Sequence, residues 1–285
     1  LKVLSFDEYA NRFEKVAITR SESGVLTLRL HSGGGPFVYD ATAHAELPFV
    51  LRCVADDTAN RVVVLTGTGD SFWSLLNPPS FSHLQQTPDG WDQTLFEERR
   101  TLEAFLSIDV PIISAVNGPA LVHSHLPVMA DIVLASETAC FGDVLHAPGG
   151  VVPGDGAHMI WPKLLGLNRG RYFLLTGQLI SAVEALDLGV VAEVLPPDGL
   201  MDRAQELAEE LAAKPTLMLR QTRSVLRHEL DETMTRDFSR GMMHEALAGL
   251  SFLSEHLKDA TPEPLSPEEH FVLDPATGQT QPLEN

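Results

Sequence analysis

Leu26, Leu28 and Leu30 alternate with Thr27 and Arg29. A period of two places the three leucines on one face, which predicts a half-buried strand. Further on, Leu47, Val50, Leu51 and Val54 follow the i, i+3, i+4, i+7 rule, so a helix is predicted over roughly 41–55. Three short apolar runs lack alternation and read as strands buried on both faces. They are Arg61–Thr66 (RVVVLT, closed by Gly67), Pro111–Val116 (PIISAV, ending at Asn117-Gly118) and Ile132–Ala135 (IVLA). A helix over 94–107 separates the first two runs. Ser181-Ala182-Val183-Glu184 is a capping box that starts a short helix, and Gly189 stops it. After the Pro196-Pro197-Asp198-Gly199 break, Ala204, Leu207, Ala208 and Leu211 resume the helical stripe. Residues 216–257 read as mostly helical, with interruptions expected at Gly241 and Gly249. Strands alternating with helices predict an α/β chain with parallel pairing.

Composition narrows the partners. Lys plus Arg number 20 against 39 Asp plus Glu, a formal charge of −19 over 285 residues, which argues against nucleic acid and anionic membranes. The chain is 44% hydrophobic and 21% charged, an ordinary balance for a packed protein and a poor one for disorder. Its most apolar stretch, Pro119–Ala135, is broken by His123, His125 and Asp131 and is not expected to span a bilayer. Two cysteines, Cys53 and Cys140, make neither a disulfide framework nor a four-cysteine zinc site. With no basic head and apolar core in Leu1–Asn11, a cytoplasmic location is the expectation. Walker A, G-x-G-x-x-G and G-x-S-x-G signatures are all missing.

The chemistry concentrates between Ser114 and Pro162, where His123, His125, His146, His158 and Asp155 fall in glycine- and proline-rich connections after predicted strands. Taken singly, each has an ordinary structural explanation. Asp155, between Gly154 and Gly156, suits a helix N-cap. His146 suits a loop, and His44 suits the inward face of its helix. His123-Ser124-His125 resembles the start of a metal site, but no third ligand stands at a suitable spacing, so no metal and no other cofactor is expected.

Together the segments resemble the crotonase (enoyl-CoA hydratase/isomerase) superfamily. The likeness rests on Ala115-Val116-Asn117-Gly118-Pro119-Ala120, Ala130-Asp131-Ile132-Val133-Leu134-Ala135, Phe141-Gly142 and Pro153-Gly154-x-Gly156. Arg61–Gly67, Leu175-Thr176-Gly177 and Gly189-Val190-Val191 match in order and spacing, and the whole covers roughly residues 12–257. It implies an α/β fold of the crotonase type: a spiral of ββα repeats over 1–197 and a helical trimerisation region over 198–257. A Pro-rich tail over 258–285 is expected to be mobile or wrapped onto a neighbour. The expected assembly is a homotrimer or a dimer of trimers.

The departures carry the functional expectation. CoA-using relatives have a Gly-Gly-Gly run where this chain has Val122-His123-Ser124. Hydratases carry glutamates at the position of Leu126 and near Val144-Leu145-His146, and neither is present. The segment usually reading Phe-Ser-Ala-Gly-x-Asp is Phe72-Trp73-Ser74-Leu75-Leu76-Asn77. This pattern is similar to the branch of 6-oxocamphor hydrolase and related β-diketone hydrolases. Shared stretches lie around Thr42–Leu47, Leu106–Pro111, Val152–His158, Asn168–Phe173 and His244–Leu247. The resemblance implies that His146 and Asp155 form a base dyad and that His123 holds a substrate oxygen. His44 and Glu245 would line the pocket. Tyr39 matches a tryptophan donor of the camphor enzyme, and His125 stands where that enzyme has a glutamate; both are expected near the substrate. The implied activity is a cofactor-independent hydrolysis of a C–C bond in a small-molecule β-diketone. Two rivals stand beside it: CoA-thioester chemistry on the same fold, and a non-catalytic member of the superfamily.

Overall fold

The apolar runs become neighbouring strands of one sheet in the computed structural model, which describes residues 4–81, 84, 87–256, 271–273 and 280–282, those from 252 on by backbone alone. The strands are β1 (Val16–Arg20), β2 (Val25–Leu30), β4 (Val62–Thr66), β6 (Ile112–Val116), β7 (Ile132–Ser136) and β10 (Glu193–Leu195), in the order β1-β2-β4-β6-β7-β10. β1 and β2 form an antiparallel hairpin, and every later pair is parallel. β4 and β6 are buried at every position, the reason they read as unbroken apolar runs.

Each face of this sheet has its own cover. On one side, Val62, Val64, Ile113, Ala115 and Leu134 meet Leu200, Ala204, Ala208 and Ala212 of the helix Leu200–Ala212. The small alanines let that helix lie close to the strands. The opposite face joins the larger core, which includes α1 (Ala41–Asp56) and α2 (Pro88–Ser107), two helices packed on one another. α1 covers the predicted span and is capped by Asp40, whose carboxylate accepts the Ala43 N–H at 2.8 Å. α2 starts at Pro88 rather than at 94, because Thr87 caps it and proline suits the first helical position.

A smaller sheet stands beside this core. β3 (Val38–Tyr39) pairs in parallel with β5 (Leu75–Leu76), and β11 (Phe271–Leu273) pairs antiparallel with the other side of β5. β12 (Thr280–Pro282) completes it against β11. These described parts of the expected tail therefore sit on the chain's own sheet; the remainder of 258–285 lies outside the described residues. β8 (Cys140–Phe141) and β9 (Ile180–Ser181) form a separate pair. Ser181 caps the following helix through Glu184 N–H, as its sequence predicts.

The C-terminal helices correct one expectation. Gly241 and Gly249 do not interrupt anything: His228–His256 is one helix, and the break falls at Arg227, after the helix Thr216–Leu226. Both glycines serve close approach instead. A Cβ at Gly249 would collide with the Trp91 ring, and one at Gly241 with His158 and the Gly154 carbonyl. Met234, Phe238 and Met242 of this long helix belong to the main core. None of the described helices is long and apolar enough to cross a membrane.

Arg223 fastens the helix Thr216–Leu226 to the sheet. It is 2% exposed, its Nε donates to Asp131 Oδ2 at 2.7 Å, and its Nη1 donates to the Leu106 and Ile108 carbonyls. Arg223→Met is expected to destabilise the protein by about 3 kcal/mol, since it strips one partner from a largely buried ion pair and takes the donor from the Ile108 carbonyl, while Arg227 still serves that of Leu106. Chemical denaturation of the two proteins measures this.

Candidate active site

Loops at the carboxyl ends of parallel strands deliver the polar groups, as expected of open α/β sheets. The connection after β6 brings His123 and His125. The longer one after β7 brings Asp143, His146 and Asp155. α1 contributes His44, α2 contributes Glu97 and Glu98, and the long C-terminal helix contributes Glu245.

Asp155 sits at the junction. Its Oδ2 lies 2.8 Å from His123 Nδ1 and 3.4 Å from His146 Nε2, and its Oδ1 lies 3.9 Å from His125 Nδ1. The same Oδ1 accepts the Ala157 N–H at 3.3 Å, but the N-cap of the helix Ala157–Leu165 is Gly156, so Asp155 stands one residue ahead of the capping position read from the sequence. Glycines on either side make this position possible. A Cβ at Gly154 would strike the Gly241 carbonyl, and one at Gly156, where φ is +136°, would meet the His125 ring at 2.9 Å.

His146 is held from its other side. Its Nδ1 is 2.6 Å from Asp143 Oδ1, leaving Nε2 directed toward Asp155 and toward Glu245 Oε1 at 3.9 Å. This alters the expected dyad: Asp143, unmarked by the sequence, takes the orienting position on His146, and Asp155 faces the opposite nitrogen. Glu98 is the second group that sequence reasoning missed. Its Oε1 lies 3.9 Å from His123 Nδ1 and its Oε2 lies 3.7 Å from His44 Nε2, while His44 Nδ1 contacts Glu97 Oε2 at 2.6 Å. The only available signal was a carboxylate in an apolar stripe: Glu98 is spaced i, i+4 from Leu102, which is also buried.

These groups border a cavity of about 100 Å³, against roughly 10–15 Å³ for one water on the same measure. Tyr39, His44, Glu98, His123, Asp155 and Glu245 line it together with Leu76, Phe81, Trp91 and Met242. His146 and Asp143 stand behind Asp155. His125 is not among the lining residues; it is 1% exposed, and its ring packs 5.6 Å from that of His123.

Burial dominates the electrostatics, and neighbouring charges decide the outcome at each group. Burial alone would lower the His146 imidazolium, but Asp143, Asp155 and Glu245 hold it well above the ordinary histidine range. His123 is likewise raised, Glu98 and Asp155 outweighing burial. His125, with weaker help, is pushed down by burial to about 4. Asp155 is held well below the usual carboxylate range: burial opposes its charge, and His146, His125 and His123 overcome it. Burial drives Glu98 and Glu245 up. The shift of Glu98 and Glu245 toward their neutral forms reduces the negative charge that the buried cluster must hold.

Two triads have the geometry for a cation: Glu98, His123 and His125, and His146, Asp155 and Glu245, with ligand atoms within 4.8 Å of one another. A metal needs unprotonated imidazole and carboxylate, so binding there would have to displace protons that the surroundings favour at His123, His146, Glu98 and Glu245.

The sequence profile of the enoyl-CoA hydratase/isomerase family matches residues 21–249. Among solved structures, the chain is similar to a β-diketone hydrolase from the cyanobacterium Anabaena sp. PCC 7120 bound to (S)-3-oxocyclohexyl acetic acid. The two are 42% identical with a TM-score of 0.84, covering 86% of this chain and 97% of the other. An enoyl-CoA hydratase/isomerase from Mycobacterium paratuberculosis shares the fold at 23% identity and a TM-score of 0.78, over 86% and 99% of the two chains. By sequence, 1,2-epoxyphenylacetyl-CoA isomerase of Escherichia coli (strain K12) is 28% identical over 238 residues, 82% of this chain and 90% of that one.

His123 occupies the left-handed region at φ +47°, alone among the described non-glycine residues. A glycine there would carry no such cost, which is about 1–2 kcal/mol for a side chain. His123→Gly should therefore be about 1 kcal/mol more stable than His123→Ala by thermal or chemical unfolding, since both lose the same imidazole. Equal stabilities would show that the backbone strain is not real.

Proposed function

The chain belongs to the enoyl-CoA hydratase/isomerase family, and within it we propose a β-diketone hydrolase that cleaves a C–C bond with water and no cofactor. The observation that carries this reading is the arrangement at Asp155: a carboxylate on the cavity wall, His123 beside it, and His146 behind it on Asp143. Two further facts support it. Leu126, at one hydratase glutamate position, is buried and apolar, and Val144-Leu145-His146, near the other, holds no carboxylate. The ligand of the Anabaena relative is a keto acid; a ketone and a carboxyl group in one molecule are what water leaves on opening a bicyclic 1,3-diketone.

A 1,3-diketone offers one carbonyl to water, and its second carbonyl accepts the electron pair when the bond between them breaks. In the reactive form the Asp155–His146 pair has lost its shared proton. Water held against Asp155 gives up a proton, which comes to rest between Asp155 Oδ2 and His146 Nε2 and restores the ion pair. Asp143 favours that outcome by holding Nδ1 and stabilising the imidazolium. His123, whose Nδ1 is engaged by Asp155, offers Nε2 to the carbonyl oxygen as negative charge grows, and the Tyr39 hydroxyl is a second donor on the same wall. The bond then breaks to a carboxylic acid and an enolate, and the enolate carbon takes a proton.

The assembly is proposed as a trimer or a dimer of trimers. Leu217, Met218, Val225, Leu226, Met243 and Leu247 form an exposed apolar set on the C-terminal helices, a surface suited to burial between subunits.

The direct experiment is diketone consumption, followed by absorbance without CoA and with EDTA. The panel includes the bicyclic diketone formed by closing the keto acid's carboxyl carbon onto the ring carbon beside its ketone. Turnover to a keto acid, indifferent to EDTA, is expected. Consumption of CoA thioesters with all diketones untouched would sink the reading, and activity lost to EDTA and restored by zinc would replace the proton network with a metal.

The pH profile carries a second expectation. The reactive form requires loss of a proton from a group held above 6.5, so kcat/KM should rise with pH through an apparent pKa above that value. Asp143→Asn removes the foremost charge that raises His146. It should move the limb to lower pH and reduce turnover by at least ~10²-fold. A limb that stays in place would show that Asp143 does not act on the base.

A further inference from the structure

The mechanism above leaves one step without a residue: the enolate carbon needs a proton, and the Asp155–His146 pair has just received one from water. We propose that Glu98 is the acid that supplies it, and that Glu98 is resupplied from the surface through His44 and Glu97. This rests on the β-diketone reading.

The geometry is a line of three groups running out of the cavity. Glu98 is 5% exposed and lines the cavity wall. Its Oε2 faces His44 Nε2 at 3.7 Å, and His44 Nδ1 is 2.6 Å from Glu97 Oε2. The side chain of Glu97 is 16% exposed, against 4% for His44, so the far end of the line reaches water. Gln93, on the exposed side of α2, donates to the other Glu97 oxygen at 2.9 Å and fixes the carboxylate in place. An imidazole between two carboxyls is suited to passing a proton, because it accepts on one nitrogen while donating from the other. The 3.7 Å gap exceeds a hydrogen bond, and such contacts commonly shorten when substrate fills a site.

Glu98 and Asp155 both approach His123 Nδ1, at 3.9 and 2.8 Å. The acid and the base therefore meet at the Nδ1 edge of the imidazole whose other nitrogen faces the substrate oxygen. Burial favours the neutral form of Glu98, the state a donor must have.

Atoms and charges balance. The enolate's electron pair forms a C–H bond with the Glu98 proton, leaving Glu98 ionised. His44 gives its Nε2 proton to Glu98 and takes one at Nδ1 from Glu97, which recovers its own from solvent; before the next turnover the imidazole returns to the Nε2–H tautomer by losing the Nδ1 proton and gaining one at Nε2. The proton that water lost leaves the Asp155–His146 pair before the next turnover, and the product acid ionises on release.

The test uses the α-carbon of the keto acid product. In D2O, wild-type protein should exchange the α-hydrogens of added (S)-3-oxocyclohexyl acetic acid, because the last step run backwards removes one of them. Glu98→Gln keeps size and neutrality but has no acidic proton. It should lose at least ~10²-fold in kcat and in this exchange, read by mass spectrometry, with an unchanged unfolding temperature. Glu97→Gln lies outside the cavity and should slow the exchange several-fold. A folded Glu98→Gln that turns over and exchanges at the wild-type rate overturns the proposal while leaving the hydrolase reading intact. Should Glu98→Gln fail to fold, unchanged exchange in Glu97→Gln overturns it instead. Wild-type protein that neither opens diketones nor exchanges the keto acid removes both readings together.

Discussion

Asp155 is a buried carboxylate whose charge is tolerated only because imidazoles surround it, and much of the site follows from that requirement. An isolated charge at such depth would cost far more than the protein's net stability. Here His123 and His146 approach one oxygen while the Ala157 N–H and His125 face the other. Those imidazoles meet carboxyl groups in turn, Asp143 on His146 and, at a longer distance, Glu98 near His123. His123, Glu98, Glu245 and the connection that carries Asp143, His146 and Asp155 lie on different segments, so these contacts also fix how the two connections meet α2 and the long C-terminal helix.

Backbone freedom makes that meeting possible. Gly154 and Gly241 let a loop and a helix touch main chain to main chain, and Gly156 makes room for the His125 ring. Against these stands His123, which accepts an unfavourable backbone angle to bring its imidazole to the cavity. Strain at a residue that faces both substrate space and a buried carboxylate is the common exchange of stability for placement.

The family fold supports this chemistry by substitution rather than by rearrangement. The sheet, its two covers and the helical C-terminal region belong to the enoyl-CoA hydratase/isomerase family. In place of the glutamates expected of a hydratase, this chain has Leu126 in the core, no carboxylate in Val144-Leu145-His146, and a set of histidines one loop away. The line from Glu98 through His44 to Glu97 extends the same logic to the surface.

Much of this was legible in the residues themselves. Unbroken apolar runs gave β4, β6 and β7 because strands covered on both faces have no polar side to show. The helical stripe of α1 and the capping box at Ser181 were equally local, and motif order placed His123, His146 and Asp155 in strand-end loops. Tertiary structure alone decided who partners whom. Asp143 lies only three residues from His146, yet nothing in that spacing says a loop will turn the carboxylate onto Nδ1. Glu98 is one glutamate among several on an ordinary helix, and only the packing of α2 against the cavity buries it. Gly241 and Gly249 read as interruptions because helix propensity is a property of the chain. They stand within a continuous helix because Trp91, His158 and Gly154, distant in sequence, leave no room for a Cβ.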